Sequence, residues 1–288
     1  MYDFLNANFG LVIGTATLLF CLIYILNYRK KQKQFKTSLL FQDAYTAHQK
    51  KMYDKAVEKY EKVIQLNPKN AGAFYSLGLA FSNLAEIKQD EALFEQAFEN
   101  FKKATQLNPK YAEAFCEWGL TLSNLARIKQ DEIFFEQAIK KFEQAIQINP
   151  EYVGAFNNFG CTLFDLAKMR QNENLFKQAI EKWEKTIQIN PEYAAAFHNW
   201  GYALANLAKI KQDENLFEQA FEKYEKATQL NSEYADAFGN WGIALFELAE
   251  IKQNETLLKQ AIEKYEKVTQ LNPKDALAFY NSGLVVMR

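Results

Sequence analysis

Side chains suited to catalysis or metal binding are few in this chain of 288 residues. The candidates are two histidines and three cysteines, namely His48, His198, Cys21, Cys116 and Cys161. Residues 161 and 198 would offer a thiol and an imidazole if adjacent helices brought them together, but two ligands are too few for a closed zinc site. The sequence contains no P-loop, no glycine-rich dinucleotide motif and no His-Glu-x-x-His motif. We therefore predict that the protein is not an enzyme and holds no metal or cofactor.

Charge is nearly balanced overall but unevenly distributed along the chain. The sequence has 34 Lys and Arg against 35 Asp and Glu. Residues 1–36 contain five of the basic residues and one acid, which leaves 29 basic and 34 acidic residues for the remainder. An acidic remainder offers no electrostatic footprint for nucleic acid. We therefore predict no nucleic-acid partner.

The N-terminal segment has the pattern of a membrane anchor. No charged residue lies between Phe4 and Tyr28, and a bilayer core of about 30 Å needs about 20 apolar residues in a helix. A cleaved signal peptide would begin with basic residues, whereas this chain begins Met-Tyr-Asp. We predict a short tail (1–8), a transmembrane anchor (9–28) and a basic juxtamembrane linker (29–36). The basic cluster favours the cytoplasmic side, which would leave the N-terminus outside.

A repeat of 41 residues organises most of the chain. In the unit 71–109, apolar residues recur every three or four positions in two stretches, which flank the polar sequence Lys88-Gln89-Asp90. Each stretch has the pattern of a helix with one apolar face, and Asp90 is a suitable N-cap for the second helix. The sequence therefore predicts an all-α array of antiparallel helix pairs. The repeat is marked by Asn-Pro, or once Asn-Ser, at Asn67, Asn108, Asn149, Asn190, Asn231 and Asn272.

The repeated motif resembles the tetratricopeptide repeat (TPR). The usual period of this family is about 34 residues, and the seven extra residues here equal about two helical turns. A period of 41 alone would also suit HEAT or armadillo repeats, but the Leu-Gly and Asn-Pro sequences favour the tetratricopeptide family. The resemblance implies a right-handed superhelical solenoid with one shorter repeat (37–70), five repeats of 41 residues (71–275) and a terminal capping helix (276–288). In the first long repeat the motif comprises Phe74, Leu77, Gly78, Phe81, Ala97, Phe101, Ala104 and Pro109.

Membership of this family would place a peptide-binding groove on the first helix of each pair. Asparagine recurs at one position of that helix, and such a ladder of amides is able to hold the backbone of an extended peptide. The alternative is that these amides are solvated or bond within the array. Lys and Arg are absent from the stretches 71–83, 112–124, 153–165, 194–206 and 235–247, so we expect a neutral, aromatic or basic segment rather than a carboxylate as ligand. The predicted groove residues are Tyr75, Asn83, Glu117, Asn124, Asn158, Asp165, His198, Asn199, Tyr202, Asn240 and Glu247.

Two further sets of residues recur with the repeat. Trp118, Trp200 and Trp241 adjoin the motif glycine, and we expect them in the core. Lysines are concentrated on the second helices, where we expect a solvated outer face; examples are Lys102, Lys103, Lys182, Lys185, Lys223 and Lys226.

The combined prediction is a membrane-anchored scaffold whose array faces the cytoplasm and gathers a protein partner. One alternative is a receptor of an organelle, similar to protein-import receptors that combine an anchor with such repeats. Another is a structural component that assembles through self-association around a membrane compartment.

Overall fold

The computed structural model describes the backbone of residues 2–273 and the side chains of residues 22–273. Within those residues the chain forms twelve helices and no strand. They divide into two compact units, residues 1–109 and 110–288. The first unit contains α1 (Tyr2–Gln49), α2 (Tyr53–Leu66), α3 (Ala71–Lys88) and α4 (Glu91–Leu107). The second contains α5 (Ala112–Lys129), α6 (Glu132–Ile148), α7 (Val153–Arg170), α8 (Glu173–Ile189), α9 (Ala194–Lys211), α10 (Glu214–Leu230), α11 (Ala235–Lys252) and α12 (Glu255–Leu271).

The predicted antiparallel pairs are confirmed in each unit. Successive helices pack as the pairs α1–α2 and α3–α4 in the first unit, and α5–α6, α7–α8, α9–α10 and α11–α12 in the second. In each 41-residue repeat the first helix has 18 residues and the second has 17. The seven residues added to the family's usual length are therefore absorbed as extra helix rather than as a longer loop. The predicted capping helix, 276–288, lies outside the described residues.

The turn within each pair depends on a polar cap and a left-handed residue. Asp90 caps α4 as predicted, because its carboxylate accepts a hydrogen bond from the amide N–H of Ala92 at 2.9 Å. The residue before it, Gln89, has a φ of 50°. This left-handed conformation often follows the end of a helix, and glycine is the residue that usually takes it. Glutamine takes this conformation at each equivalent turn, at Gln89, Gln130, Gln171, Gln212 and Gln253.

The asparagine of Asn-Pro has its own role in the turn between pairs. The Asn149 side chain accepts a hydrogen bond from the amide N–H of Glu151 at 3.1 Å, and Asn190 and Asn231 repeat this contact two residues on. Such a bond shapes a turn without needing proline. This explains why Ser232 can replace proline in the fifth copy while the turn stays the same.

Helix α1 runs without a break through the predicted basic linker. Residues 29–36, predicted as a linker, lie inside this helix, because the sequence has neither glycine nor proline between positions 15 and 67. The backbone of the predicted anchor, 9–28, is helical as well. Among the residues with described side chains, no helical stretch is sufficiently long and apolar to cross a bilayer. Most of the predicted anchor, residues 9–21, falls outside that set.

Close contact between a glycine and a ring fixes the crossing of the two helices in each 41-residue repeat. A Cβ atom added at Gly160 in α7 would lie 2.6 Å from Nε1 of Trp183 in α8. Trp183 is 1% exposed, so its ring has no room to move aside. Glycine at this position is therefore a packing requirement, even though it weakens the helix by about 1 kcal/mol relative to alanine.

Two glycine-to-alanine substitutions should therefore change stability in opposite directions. In α7, Gly160→Ala should lower the free energy of unfolding by about 1–2 kcal/mol, because overpacking outweighs the gain in helix propensity. Its control is Gly239→Ala in α11, where the new Cβ would meet only Cγ2 of Val268 at 3.8 Å. That variant should gain about 0.5–1 kcal/mol. Urea denaturation followed by circular dichroism measures both, and equal effects would contradict the packing argument.

Candidate functional site

The predicted groove residues of the second unit lie together along its first helices. Each first helix contacts the next, α5 with α7, α7 with α9 and α9 with α11. We call the face that they share the first-helix surface; it carries Glu117, Asn124, Asn158, Asp165, Asn199, Tyr202, Asn240 and Glu247. All of these are half-buried, whereas His198 is only 8% exposed. Half-buried polar side chains in a row offer defined contacts to a ligand.

The ladder of amides is bonded within the array. Asn158 reaches the Cys116 sulfur at 4.0 Å, and Asn199 donates to the Asn157 carbonyl at 3.4 Å and lies 3.5 Å from the Cys161 sulfur. The third amide, Asn240, lies 2.9 Å from Nε2 of His198. Each amide thus bonds to the residue 42 positions earlier, on the preceding first helix. An asparagine has two N–H donors and a carbonyl, so these bonds orient the amides without using all their capacity.

His198 is held by two partners rather than by a cysteine. Its Nδ1 lies 3.1 Å from the Tyr234 hydroxyl, and its Nε2 faces the Asn240 amide. Burial lowers the pKa of His198, while the nearby Asp236 acts in the opposite direction. The imidazole is therefore a neutral, positioned group at the centre of the surface.

The hypothesis of a joint site at Cys161 and His198 finds no support. Cys161 contacts Asn199, while both ring nitrogens of His198 have other partners. Burial raises the pKa of Cys116 to about 12 and that of Cys161 to about 11, which disfavours the thiolate form at both positions. Within the described side chains, no group of three or more His, Cys, Asp or Glu could hold a metal ion.

Three cations border the first-helix surface. They lie just beyond Asn124, Asp165 and Asn206, where the stretches without Lys or Arg end, and were therefore not among the predicted groove residues. The Arg127 Nε donates to Asp165 at 2.6 Å, and Lys209 forms an ion pair with Glu247. Two of the three predicted acids, Asp165 and Glu247, are thus each paired with a cation. The third cation, Lys168, lies 5.7 Å above the ring of Phe164 and 5.8 Å above that of Tyr202. The signal was present in the sequence as a basic residue three positions after each of those sites.

Two neighbouring cavities open between α9 and α11. The smaller, of about 190 Å³, is lined by Tyr202, Asn206, Tyr224, Asn240 and Glu247, among others. Tyr224 is fully buried, and its hydroxyl has no hydrogen-bond partner among the described residues. A cavity of about 650 Å³ adjoins it through shared residues and is mainly apolar, with Phe217, Ile243, Phe246, Ile251 and Tyr265 in its wall. The two cavities together offer an apolar wall beside fixed polar groups.

The two predicted site residues of the first unit lie on α3. The Asn83 amide donates to the Leu79 carbonyl at 2.7 Å, and its equivalent Asn206 makes the same bond to Tyr202. Tyr75 packs near Phe101 at 6.3 Å between ring centres. These contacts of Asn83 and Tyr75 are made within their own helix pair.

The expectations for the tryptophans and lysines were partly wrong. Trp118, Trp200 and Trp241 are half-buried, and a lysine of the paired second helix covers the exposed side of each ring. Lys182 and Lys223, predicted on a solvated face, take part in this arrangement, which supports the rings by cation–π attraction. The distances from Nζ to ring centre are 3.7 Å for Lys141–Trp118, 5.0 Å for Lys182–Phe159, 4.2 Å for Lys223–Trp200 and 3.8 Å for Lys264–Trp241.

Fold and surface together define an all-helical repeat protein of the protein-interaction class. Family models of the tetratricopeptide repeat match residues 44–84 and 71–111, so the chain contains tetratricopeptide repeats. The model of the plant-specific mitochondrial import receptor subunit TOM20 matches 92–162, 133–233 and 213–284. These three matches overlap, so that model follows successive repeats along the chain. No curated protein matches the chain.

Solved structures share this fold at low sequence identity. PilW, a type IV pilus biogenesis factor, is 17% identical with a TM-score of 0.62, covering 87% of this chain and 98% of its own. PilF of Pseudomonas aeruginosa is 18% identical with a TM-score of 0.61, covering 88% and 98%. YrrB, described as a TPR protein with an unusual peptide-binding site, is 23% identical with a TM-score of 0.50, covering 78% and 97%. At these identities the likeness shows the fold alone.

The stability of the second unit should fall as the pH falls from about 7.5 to about 5.5. The folded state keeps His198 neutral, so the unfolded state binds a proton first as the pH passes the ordinary pKa of histidine, about 6.5. All four tryptophans lie in this unit, so tryptophan fluorescence during urea denaturation reports its unfolding. His198→Gln should flatten the pH dependence. Burial also lowers the pKa of His48, but this residue lies in the first unit, which has no tryptophan, so His48→Gln should change this fluorescence signal less. An unchanged slope in His198→Gln would contradict this assignment.

Proposed function

We propose that the protein is a membrane-anchored scaffold that binds a peptide or helical segment of a partner protein on its first-helix surface. The observation that carries this proposal is the pair of cavities between α9 and α11, about 190 and 650 Å³. An apolar cavity beside a few fixed polar groups is the usual form of a specific binding site. The family supports it, because tetratricopeptide repeats serve as interaction scaffolds, and YrrB is a member with a peptide-binding site of its own.

The charges near the cavities favour a neutral, aromatic or basic segment as ligand. Glu247 and Glu250 line the larger cavity together with one cation, Lys209. Glu247 is paired with that lysine, so a ligand meets a modestly acidic rim around an apolar wall. An aliphatic or aromatic side chain of the ligand would pack against the apolar wall, and a neighbouring basic side chain of the ligand would complement the acidic rim.

Substitution of one wall residue should distinguish this site from the rest of the surface. Ile243 lines both cavities and is 38% exposed, so Ile243→Gln removes an apolar contact with little cost to folding. Peptides selected from a random phage-displayed library against the detergent-solubilised full chain should bind this variant about tenfold more weakly, as expected for a residue at the centre of an interface.

The matched control is Ile133→Gln on α6, which makes the same change at a residue 60% exposed and outside the first-helix surface. It should bind the selected peptides with unchanged affinity. Peptides that bind both variants and the parent chain equally would place binding elsewhere and refute the proposed site.

The membrane anchor at residues 9–28 and the cytoplasmic placement of the array are part of the same proposal. Replacing Leu18 and Leu19 by Arg should release the protein from membranes during alkaline extraction, because each arginine costs about 2.5–3.5 kcal/mol at the centre of a span. Phe35→Arg with Leu39→Arg is the control; these α1 side chains are 70% and 57% exposed and lie beyond the anchor. An unaltered protein that leaves the membrane at alkaline pH would exclude the anchor.

A second candidate function is that of an import receptor on an organelle. The matches to the TOM20 receptor model favour it, and an N-terminal anchor with a cytoplasmic array would suit it. Cell fractionation separates the two, because a receptor of this kind should co-sediment with the mitochondrial outer membrane. Absence from that membrane would leave the general scaffold as the proposal.

A further inference from the structure

The first unit contains a cleft whose polar lining has no carboxylate. It consists of groups that donate hydrogen bonds and groups that both donate and accept them. The cleft has a volume of about 590 Å³ and lies between α1 and the end of α2. Its apolar wall comes from Phe41 and Leu66. The polar lining residues are Lys30, Lys33, Gln34, Thr37, Ser38, Asn67 and Asn70.

The position of the cleft follows from the packing of α1. One face of this helix packs against α2 through Phe41, whose ring lies 5.5 Å from that of Tyr60, and through the buried Ala44. The same face continues towards the N-terminus at intervals of three and four residues, through Thr37 to Lys33 and Lys30. Helix α2 ends at Leu66, so the lysines project past the packed part of the pair. They form one wall of an open cleft instead of a helix interface.

The two lysines have no ion-pair partner among the described side chains. Elsewhere in the unit, lysines pair with acids, as Lys59 does with Asp43 and Lys88 with Asp54. Asn67 and Asn70 already use their carbonyl oxygens to accept backbone bonds from Lys69 and Ala73, which leaves their N–H₂ groups as donors. A cleft with two unpaired cations, amide donors and an apolar wall is complementary to an anion that carries an apolar group.

We propose that this cleft binds the headgroup of an anionic phospholipid, an inference that rests on the proposed anchor. At a rise of about 1.5 Å per residue, Lys30 and Lys33 lie roughly 3 and 8 Å beyond Tyr28 along the axis of α1. The headgroup layer on each side of the hydrocarbon core is about 5–8 Å thick. An anchor ending at Tyr28 therefore brings both lysines to the depth of the lipid phosphates, where cations attract anionic lipids.

The test compares lipid retention by the full chain with and without the two lysines. The protein is purified from mixed micelles of phosphatidylglycerol and phosphatidylcholine in neutral detergent, and the retained lipids are quantified. The parent chain should be enriched in phosphatidylglycerol, and Lys30→Gln with Lys33→Gln should lower that enrichment about tenfold. Lys31→Gln with Lys36→Gln removes the same charge from the same helix outside the cleft, and it should retain the enrichment.

Each other outcome would overturn the proposal. Equal losses in both double variants would show diffuse attraction to a basic helix rather than a site. Binding of radiolabelled inorganic phosphate by the delipidated chain, without selective lipid retention, would assign the cleft to free phosphate. The micelle measurement does not need the anchor to span a bilayer. Release of the protein from membranes at alkaline pH, which would exclude the anchor, and loss of selective lipid retention, which would exclude the cleft, are therefore separate results.

Discussion

The arrangement of every long repeat depends on one close contact between a backbone and an aromatic ring. At the crossing of each pair the first helix places glycine against a ring of the second, so closely that no Cβ atom fits comfortably. The shortest distances from an added Cβ to the ring are 2.8 Å at Gly78–Phe101, 3.0 Å at Gly119–Phe142, 2.6 Å at Gly160–Trp183, 3.1 Å at Gly201–Tyr224 and 2.7 Å at Gly242–Tyr265. Because the contact recurs at the same place, it fixes the rotation of every first helix about its own axis, and hence which residues remain on the first-helix surface.

The fixed rotation of the first helices affects how their surface can bind a ligand. Adjacent first helices keep the same relative position, so each amide of the ladder bonds to the residue one position before its equivalent in the preceding repeat. Asn199 reaches Asn157 and Asn240 reaches His198 in this way, with the same offset of 42 positions. These bonds orient polar groups before any ligand arrives, which reduces the entropy lost on binding. The cavities form where the repeated pattern carries side chains of unequal size, with Ala205 and Ala244 beside Tyr202 and Tyr224. Residues that recur in every repeat thus fix how the helices pack, and residues that differ between repeats give the surface its cavities at α9 and α11.

The sequence predicted what is periodic and missed what depends on three-dimensional proximity. The helix pairs, the Asp90 cap and the Asn-Pro turns follow from spacing and local chemistry, and the structure has them. The ion pair of Asp165 could not be predicted from spacing. Its partner Arg127 is 38 positions away and lies just past the stretch assigned to the groove. Lys182 was assigned to solvent since its helix is polar on that side, yet the long lysine stem reaches back over Phe159. Pairings between helices depend on side-chain reach, which periodicity does not encode.

Helix α1 determines how any membrane attachment would reach the array. A flexible tether needs glycine, proline or a run of polar residues that leaves the helix, and residues 29–36 remain helical instead. Thr37 is the first described buried side chain of the chain, and it follows Tyr28 by only nine residues, about 14 Å along a helix. The first unit therefore begins to pack almost at the point where the proposed anchor ends. An anchor connected in this way would hold the first repeat at a set height above the bilayer, because no flexible segment would separate the two.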